Sequence, residues 1–158
     1  MPTQVYKTAQ TYINNDFTGG QRVTLTNTTP ALLKPVVVYP AGSLRPGTLV
    51  RWTMIPDYST GGGTTVELKC LANGTLMWSK QISGSFGDSF VITQIFGGTA
   101  TALTWRSYDY RAGNTCVASN NTINSLTDTT VTFTVNCLAV PSTNFLVQLD
   151  MLYMEQVG

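Results

Sequence analysis

No histidine occurs anywhere in the 158-residue chain. That absence removes the Ser-His and Cys-His nucleophilic systems and every imidazole-based metal site. Charge is nearly as scarce: Asp, Glu, Lys and Arg make up 11% of the residues, where an average globular domain has about a quarter. The nine basic and eight acidic side chains are spread singly and leave a net charge of +1. Without a basic run, electrostatic binding of nucleic acid has nothing to act through, and no nucleic-acid partner is expected. No apolar stretch approaches the length of a membrane span, so no membrane partner is expected either. Met1-Pro2-Thr3-Gln4 leads into polar residues rather than an apolar targeting core, which fits synthesis and folding in a cytoplasm.

Cysteine is also sparse. Cys70, Cys116 and Cys137 lie far apart and have neither a zinc-ligand spacing nor a disulfide framework, so no metal or cofactor is expected. Cys70 shares strand parity with Val66 and Leu68, and Cys137 with Val131, Phe133 and Val135. Both read as small buried hydrophobes, whereas Cys116, in a polar stretch, reads as an exposed thiol.

What is present is threonine alternating with apolar residues. Thr130-Val131-Thr132-Phe133-Thr134-Val135 has strict period two, the signature of a half-buried antiparallel strand. Variations recur from residue 21 to the C-terminus. Pro35 argues that the Leu33–Tyr39 run sits at a sheet edge. Asn73-Gly74 marks a type I′ hairpin turn. Val50, Trp52 and Met54 share one face of another run, and Phe145, Val147, Leu149, Met151 and Tyr153 share one face of the last. Helical periodicity is absent. The spacing predicts an all-β domain over 21–158, a jelly-roll (Greek-key) β-sandwich of about eight or nine antiparallel strands. Residues 1–20 differ, lacking clean alternation and ending in Gly19-Gly20. Val5, Tyr6, Tyr12, Ile13 and Phe17 are too apolar a set for a solvated tail, so 1–20 reads as an N-terminal arm docking on the domain or on a neighbouring subunit.

Candidate chemistry is thin. Asp57, Asp88, Asp109 and Asp128 fall at strand ends or in loops, where Asp caps turns through its side-chain oxygen. A glycosidase needs two carboxyls at a defined separation, and no such pair is marked, so no enzyme is expected. Gly61-Gly62-Gly63 lacks the following Lys-Ser/Thr of a phosphate cradle and reads as a hairpin loop. Tyr108-Asp109-Tyr110-Arg111 is a local cluster able to stack on a sugar or anchor an interface, or else a strand end packing its aromatics on the rim. Tyr58, in the loop before the triple glycine, joins Tyr108, Tyr110 and Arg111 as a candidate contact residue. Trp52, Trp78 and Trp105 fall inside strands, and Trp52 reads as core.

From residue 42 to 155 the order of motifs resembles a known group. Leu44-Arg45-Pro46-Gly47-Thr48-Leu49-Val50-Arg51 is followed by Thr64-Thr65-Val66-Glu67-Leu68-Lys69, Asn73-Gly74-Thr75, Asp128-Thr129-Thr130-Val131 to Val135, and Asn144-Phe145-Leu146-Val147. This pattern resembles the single jelly-roll structural proteins of tailed-bacteriophage virions, which serve as head decoration (cement) proteins or as distal tail and fibre modules. The resemblance implies a structural protein located in the virion, with the major capsid protein and itself, as a homotrimer, for partners. It implies no catalytic residue, and it makes Val5, Tyr6, Tyr12, Ile13 and Phe17 the candidate capsid-contacting arm. The stretch 109–127 departs from the pattern. Two alternatives stay open: a glycan-recognising tail-tip module working through Tyr58, Tyr108 and Tyr110, and a small spherical virus capsid protein, against which the missing basic arm counts.

Overall fold

The alternating sequence folds into antiparallel strands, and no helix occurs among the described residues, which in this computed structural model are 7–13, 23–58, 65–82, 90–109, 115–118, 121–142 and 145–157. In chain order the strands are β1 (Lys7–Ile13), β2 (Val23–Leu25), β3 (Ala31–Tyr39), β4 (Leu49–Tyr58), β5 (Val66–Ala72) and β6 (Thr75–Ile82). They continue with β7 (Phe90–Thr99), β8 (Ala102–Asp109), β9 (Thr115–Ala118), β10 (Thr129–Cys137) and β11 (Phe145–Val157). Two sheets form a β-sandwich. The larger runs β1-β11-β4-β7-β8-β9 with β2 also on β11, and the smaller runs β3-β10-β5-β6. The pairings nest: β2 with β11, β3 with β10, β4 with β7 and β5 with β6, so the chain folds back on itself as one long hairpin.

Residues Lys7–Ile13, within the segment read as an arm, pair over their whole length with β11 of the same chain, Tyr12 opposite Leu152 and Ile13 opposite Met151. Val5, Tyr6 and Phe17 lie outside the described residues.

Period two decides which side chains fill the interior. In β5, and in β10 as far as Val135, the positions alternate between buried and half-buried, with Leu68, Cys70, Val131, Phe133 and Val135 inward. Trp52 sits at the centre, edge-on to Tyr39 at 6.2 Å and to Phe133 at 5.3 Å, so one indole ties β4 to two strands of the opposite sheet, β3 and β10. Trp78 and Trp105 are buried as well.

Irregularities fall where the sequence disfavours regular pairing. β3 is an edge strand, and its ladder to β10 slips between Val37↔Val131 and Leu33↔Phe133, around Pro35, which has no N–H to give. Two extra residues on β3 keep the parity, so Leu33, Val37 and Tyr39 stay inward. Asn73 (φ 47°) and Gly74 (φ 78°) make the expected tight turn between β5 and β6. In β11 the ladder to β4 jumps from Leu149↔Pro56 to Met151↔Ile55, leaving Asp150 as the extra residue of a bulge. Val147 and Met154 are therefore both buried although they stand seven positions apart, an odd step that would put them on opposite faces of a regular strand. The single apolar face expected from Phe145 to Tyr153 does not run through the strand; the bulge exchanges the faces midway.

Candidate functional site

The outward face of the larger sheet is organised in rows perpendicular to its strands. Reading partners across the ladders, one row is Ala9, Glu155, Arg51, Thr93, Tyr108 and Cys116. The next is Lys7, Val157, Leu49, Ile95, Arg106 and Ala118. Arg51, Ile95 and Arg106 are exposed and Tyr108 is half-buried. Along β7 and β8 a cleft of about 400 Å³ is lined by Ile95, Phe96, Gly97, Thr104, Trp105, Arg106 and Tyr108. It offers a phenol ring, a guanidinium, a threonine hydroxyl and an aliphatic wall. Among the described residues no carboxylate lines it, and the groups present can stack on a sugar ring or a peptide side chain.

Next to Tyr108, Thr93 lies on the same outward face yet is only 3% exposed, and its hydroxyl has no hydrogen-bond partner. Such a buried, unpaired hydroxyl at an otherwise solvated face is costly and unusual.

Tyr108 is thus at a surface suited to contact. Tyr58 is not in a loop: it is the last residue of β4, paired with Val147. Seven strand positions separate it from Arg51, the residue in Tyr108's row, which is about 23 Å along the strand. The sheet therefore does not bring Tyr58 and Tyr108 into one site. The loop was expected because Pro56 breaks the pattern. Among the described residues β7 pairs with β4 as far as Met54, and Pro56 keeps its place in the ladder to β11, opposite Leu149. Tyr110 and Arg111 lie outside the described residues, as does Gly61-Gly62-Gly63. Cys116 is likewise not in a loop but in β9, opposite Tyr108. The 109–127 stretch also holds Ile123, which bridges back to Leu103.

Of the four aspartates singled out in the sequence, Asp88 lies outside the described residues, and Asp128 accepts a hydrogen bond from the Ala41 amide at 2.9 Å and caps a turn. Asp57 and Asp109 fall inside the ends of β4 and β8. Among the described residues no group of three His, Cys, Asp or Glu side chains could hold a metal ion. Cys70 and Cys137 are buried free thiols. Burial pushes the Cys70 thiol up to about 12 and raises Cys137 as well.

Sequence reasoning missed a polar network inside the sandwich. Trp52 Nε1 donates to Gln94 Oε1 at 3.0 Å, and Gln94 Nε2 donates to Ser107 Oγ at 3.3 Å. Ser107 Oγ and Trp105 Nε1 both donate to the Met77 carbonyl on β6, at 3.3 and 3.1 Å. Gln94 is 1% exposed. The available signal was parity, since Gln94 shares its face with Ile92 and Phe96, and Ser107 with Leu103 and Trp105.

The outward face of the smaller sheet is different in kind. Thr130, Thr132 and Thr134 run down β10, with Thr132 opposite Leu71 and Thr134 opposite Lys69. The charges on β5 neutralise each other, Lys69 Nζ lying 2.9 Å from Glu67 Oε2. Hydroxyls and one closed ion pair make this a face that costs less desolvation to cover than one of isolated charges.

No protein-family model matches the chain, and no curated protein matches it. Among solved structures it is similar to part of dimeric latent PorU from Porphyromonas gingivalis, at 14% identity and a TM-score of 0.46. That match covers 99% of this chain and 13% of the other.

Proposed function

We propose that this protein is a virion structural protein, a decoration (cement) protein that binds the outside of a phage head and stabilises it by bridging capsid subunits. The observation that carries this reading is the neutral threonine face of the smaller sheet, with its charges closed on each other. With Lys69 and Glu67 paired to each other, burial of β5 and β10 against a protein neighbour costs less desolvation than burial of isolated charges. The nested strand pairing supports it too, because β2-β11-β4-β7 facing β3-β10-β5-β6 is the strand order by which a jelly roll winds. Each copy would add a small binding energy at the junction of capsid subunits. Summed over many sites, that binding opposes expansion of the shell by mass action. Segments of 1–20 flanking β1 would extend the contact to the next subunit.

Purified chain mixed with purified heads tests this directly. Sedimentation is expected to carry the chain down at a saturating, fixed ratio to the major capsid protein, and the loaded heads should resist heating better than bare ones. Absence of co-sedimentation contradicts the reading. A second reading is favoured by the Tyr108–Arg106 cleft: a tail-tip module that recognises host glycans. Glycan-array binding that disappears in Tyr108→Ala would select it.

A further inference from the structure

Three alternate rungs of the β7–β8 ladder face outward at the cleft: Gly97 opposite Thr104, Ile95 opposite Arg106, and Thr93 opposite Tyr108. Gly97 makes the recess. Its φ lies outside the left-handed region, so the backbone does not require glycine here as it does at Gly98. A Cβ at Gly97 would meet only Thr104 Oγ1, at 3.8 Å, so a side chain would fit where the sequence leaves one out. A glycine within a strand that serves no bend marks a place where something approaches the backbone closely.

Arg106 supplies the charge. It is exposed at the middle rung and has no ion-pair partner among the described residues. Glu155, the acid in the neighbouring row, stands on β11, three strands from Tyr108 and about 14 Å across the sheet. Asp109, on β8 itself, has the opposite strand parity, that of Trp105 and Ser107. The Trp105 N–H is spent on the Met77 carbonyl, which leaves the Thr104 and Tyr108 hydroxyls as the other polar side-chain groups of the lining. A guanidinium has several donors and no acceptor. The cleft is therefore rich in donors, and the ligand that complements it is rich in acceptors.

From this arrangement we infer that the cleft binds a carboxylate-bearing sugar, a uronic or sialic acid residue. Its acid group pairs with Arg106, whose planar fork matches a carboxylate, while its ring lies over Gly97 beside Tyr108. The volume of about 400 Å³ falls in the range of small-ligand sites. An acidic peptide fits less well. From Thr104 to Tyr108 the cleft runs about 13 Å, room for only a few extended residues. Over these rungs the backbones of β7 and β8 are paired with each other, so a peptide main chain finds no ladder to join there.

This inference rests on the glycan reading of the cleft and is independent of the decoration role. The measurement is a proton–nitrogen correlation NMR titration of the full chain with sodium glucuronate and with sodium N-acetylneuraminate. Glucose serves as the neutral sugar and N-acetylglutamate as the acid without a sugar ring, all at one ionic strength. At least one acid sugar should shift the Gly97 and Thr104 amides and the Arg106 Nε–H saturably, about tenfold more tightly than glucose. Arg106→Gln, an exposed substitution, should keep the parent spectrum elsewhere and bind that acid no better than glucose. Gly97→Val, which fills the recess, should lose it. Acid sugars and glucose binding equally well overturn the inference and leave the glycan reading standing. Acid-sugar binding unchanged by either substitution overturns it too. N-acetylglutamate binding as tightly as the acid sugar overturns it in favour of an acidic peptide side chain. No saturable shift with either acid sugar also overturns it, and the glycan array with Tyr108→Ala then reads the fate of the glycan reading separately.

Discussion

At the scale of single residues the chain spends its few polar interior groups on fixing geometry. Gln94 occupies a core position and does so by accepting from Trp52 and donating to Ser107, which in turn reaches Met77 on the opposite sheet. Replacing it with leucine keeps the volume but strands the Trp52 N–H in the interior. Urea unfolding of Gln94→Leu should show a loss of about 1–3 kcal/mol; an unchanged midpoint would mean that the network has no energetic role. The thiols make a second residue-scale prediction. Cys70 has its ionisation pushed from 9.0 to about 12 by burial. In the unfolded chain it ionises near 9 while the folded chain keeps the proton, so the unfolded state binds fewer protons and stability falls as pH rises from about 9 towards 12. Below about pH 8 the group has no effect on stability. At pH 8 a thiol reagent should leave Cys70 and Cys137 unmodified in the native protein and react with all three cysteines once it is unfolded, as mass spectrometry can count.

At the scale of elements, turns and bulges set the registers. Gly98 has φ +85°, and a Cβ there would stand 2.6 Å from the Ala102 carbonyl oxygen; at Gly97 the nearest atom would be Thr104 Oγ1 at 3.8 Å. Gly98→Ala should therefore cost about 2–4 kcal/mol in thermal or urea unfolding, and Gly97→Ala about 1 kcal/mol or less. Equal effects would contradict the β7–β8 hairpin geometry. Much at this scale was legible beforehand. Strict alternation marked β5 and β10, Asn73-Gly74 marked its turn, and Pro35 marked an edge. Each is a local steric or hydrogen-bonding demand that leaves its trace in a few adjacent residues. The Asp150 bulge was not legible, because an unbroken alternation of apolar residues conceals an extra residue that only the partner strand reveals. Tyr58 was misplaced for the related reason that whether Pro56 ends a strand depends on its pairing with β11, which is distant in sequence.

At the scale of the whole molecule, strand pairing is a long-range property, and the sequence supported a sandwich without saying which strands meet. The nested pairings, the extension of the larger sheet by β8 and β9, and the docking of Lys7–Ile13 on β11 all depend on contacts between residues far apart in the chain. The same holds for the surfaces. Low charge was visible in the composition. That Leu32, Val36 and Val38 stand exposed on the strand beside the threonines of β10 needed β3 and β10 to be neighbours. Of the candidate contact residues, Tyr108 lines a cleft and Tyr58 lies about 23 Å away along the strand direction, a distance no local pattern encodes. The threonine face of the smaller sheet and the cleft beside Tyr108 are the surfaces on which the proposed role and its alternative rest. The measurement that tests that role most directly is the copy number of the chain per purified particle, by quantitative mass spectrometry against the major capsid protein. The decoration role predicts hundreds of copies at a fixed ratio; a handful of copies per particle, or none, would contradict it.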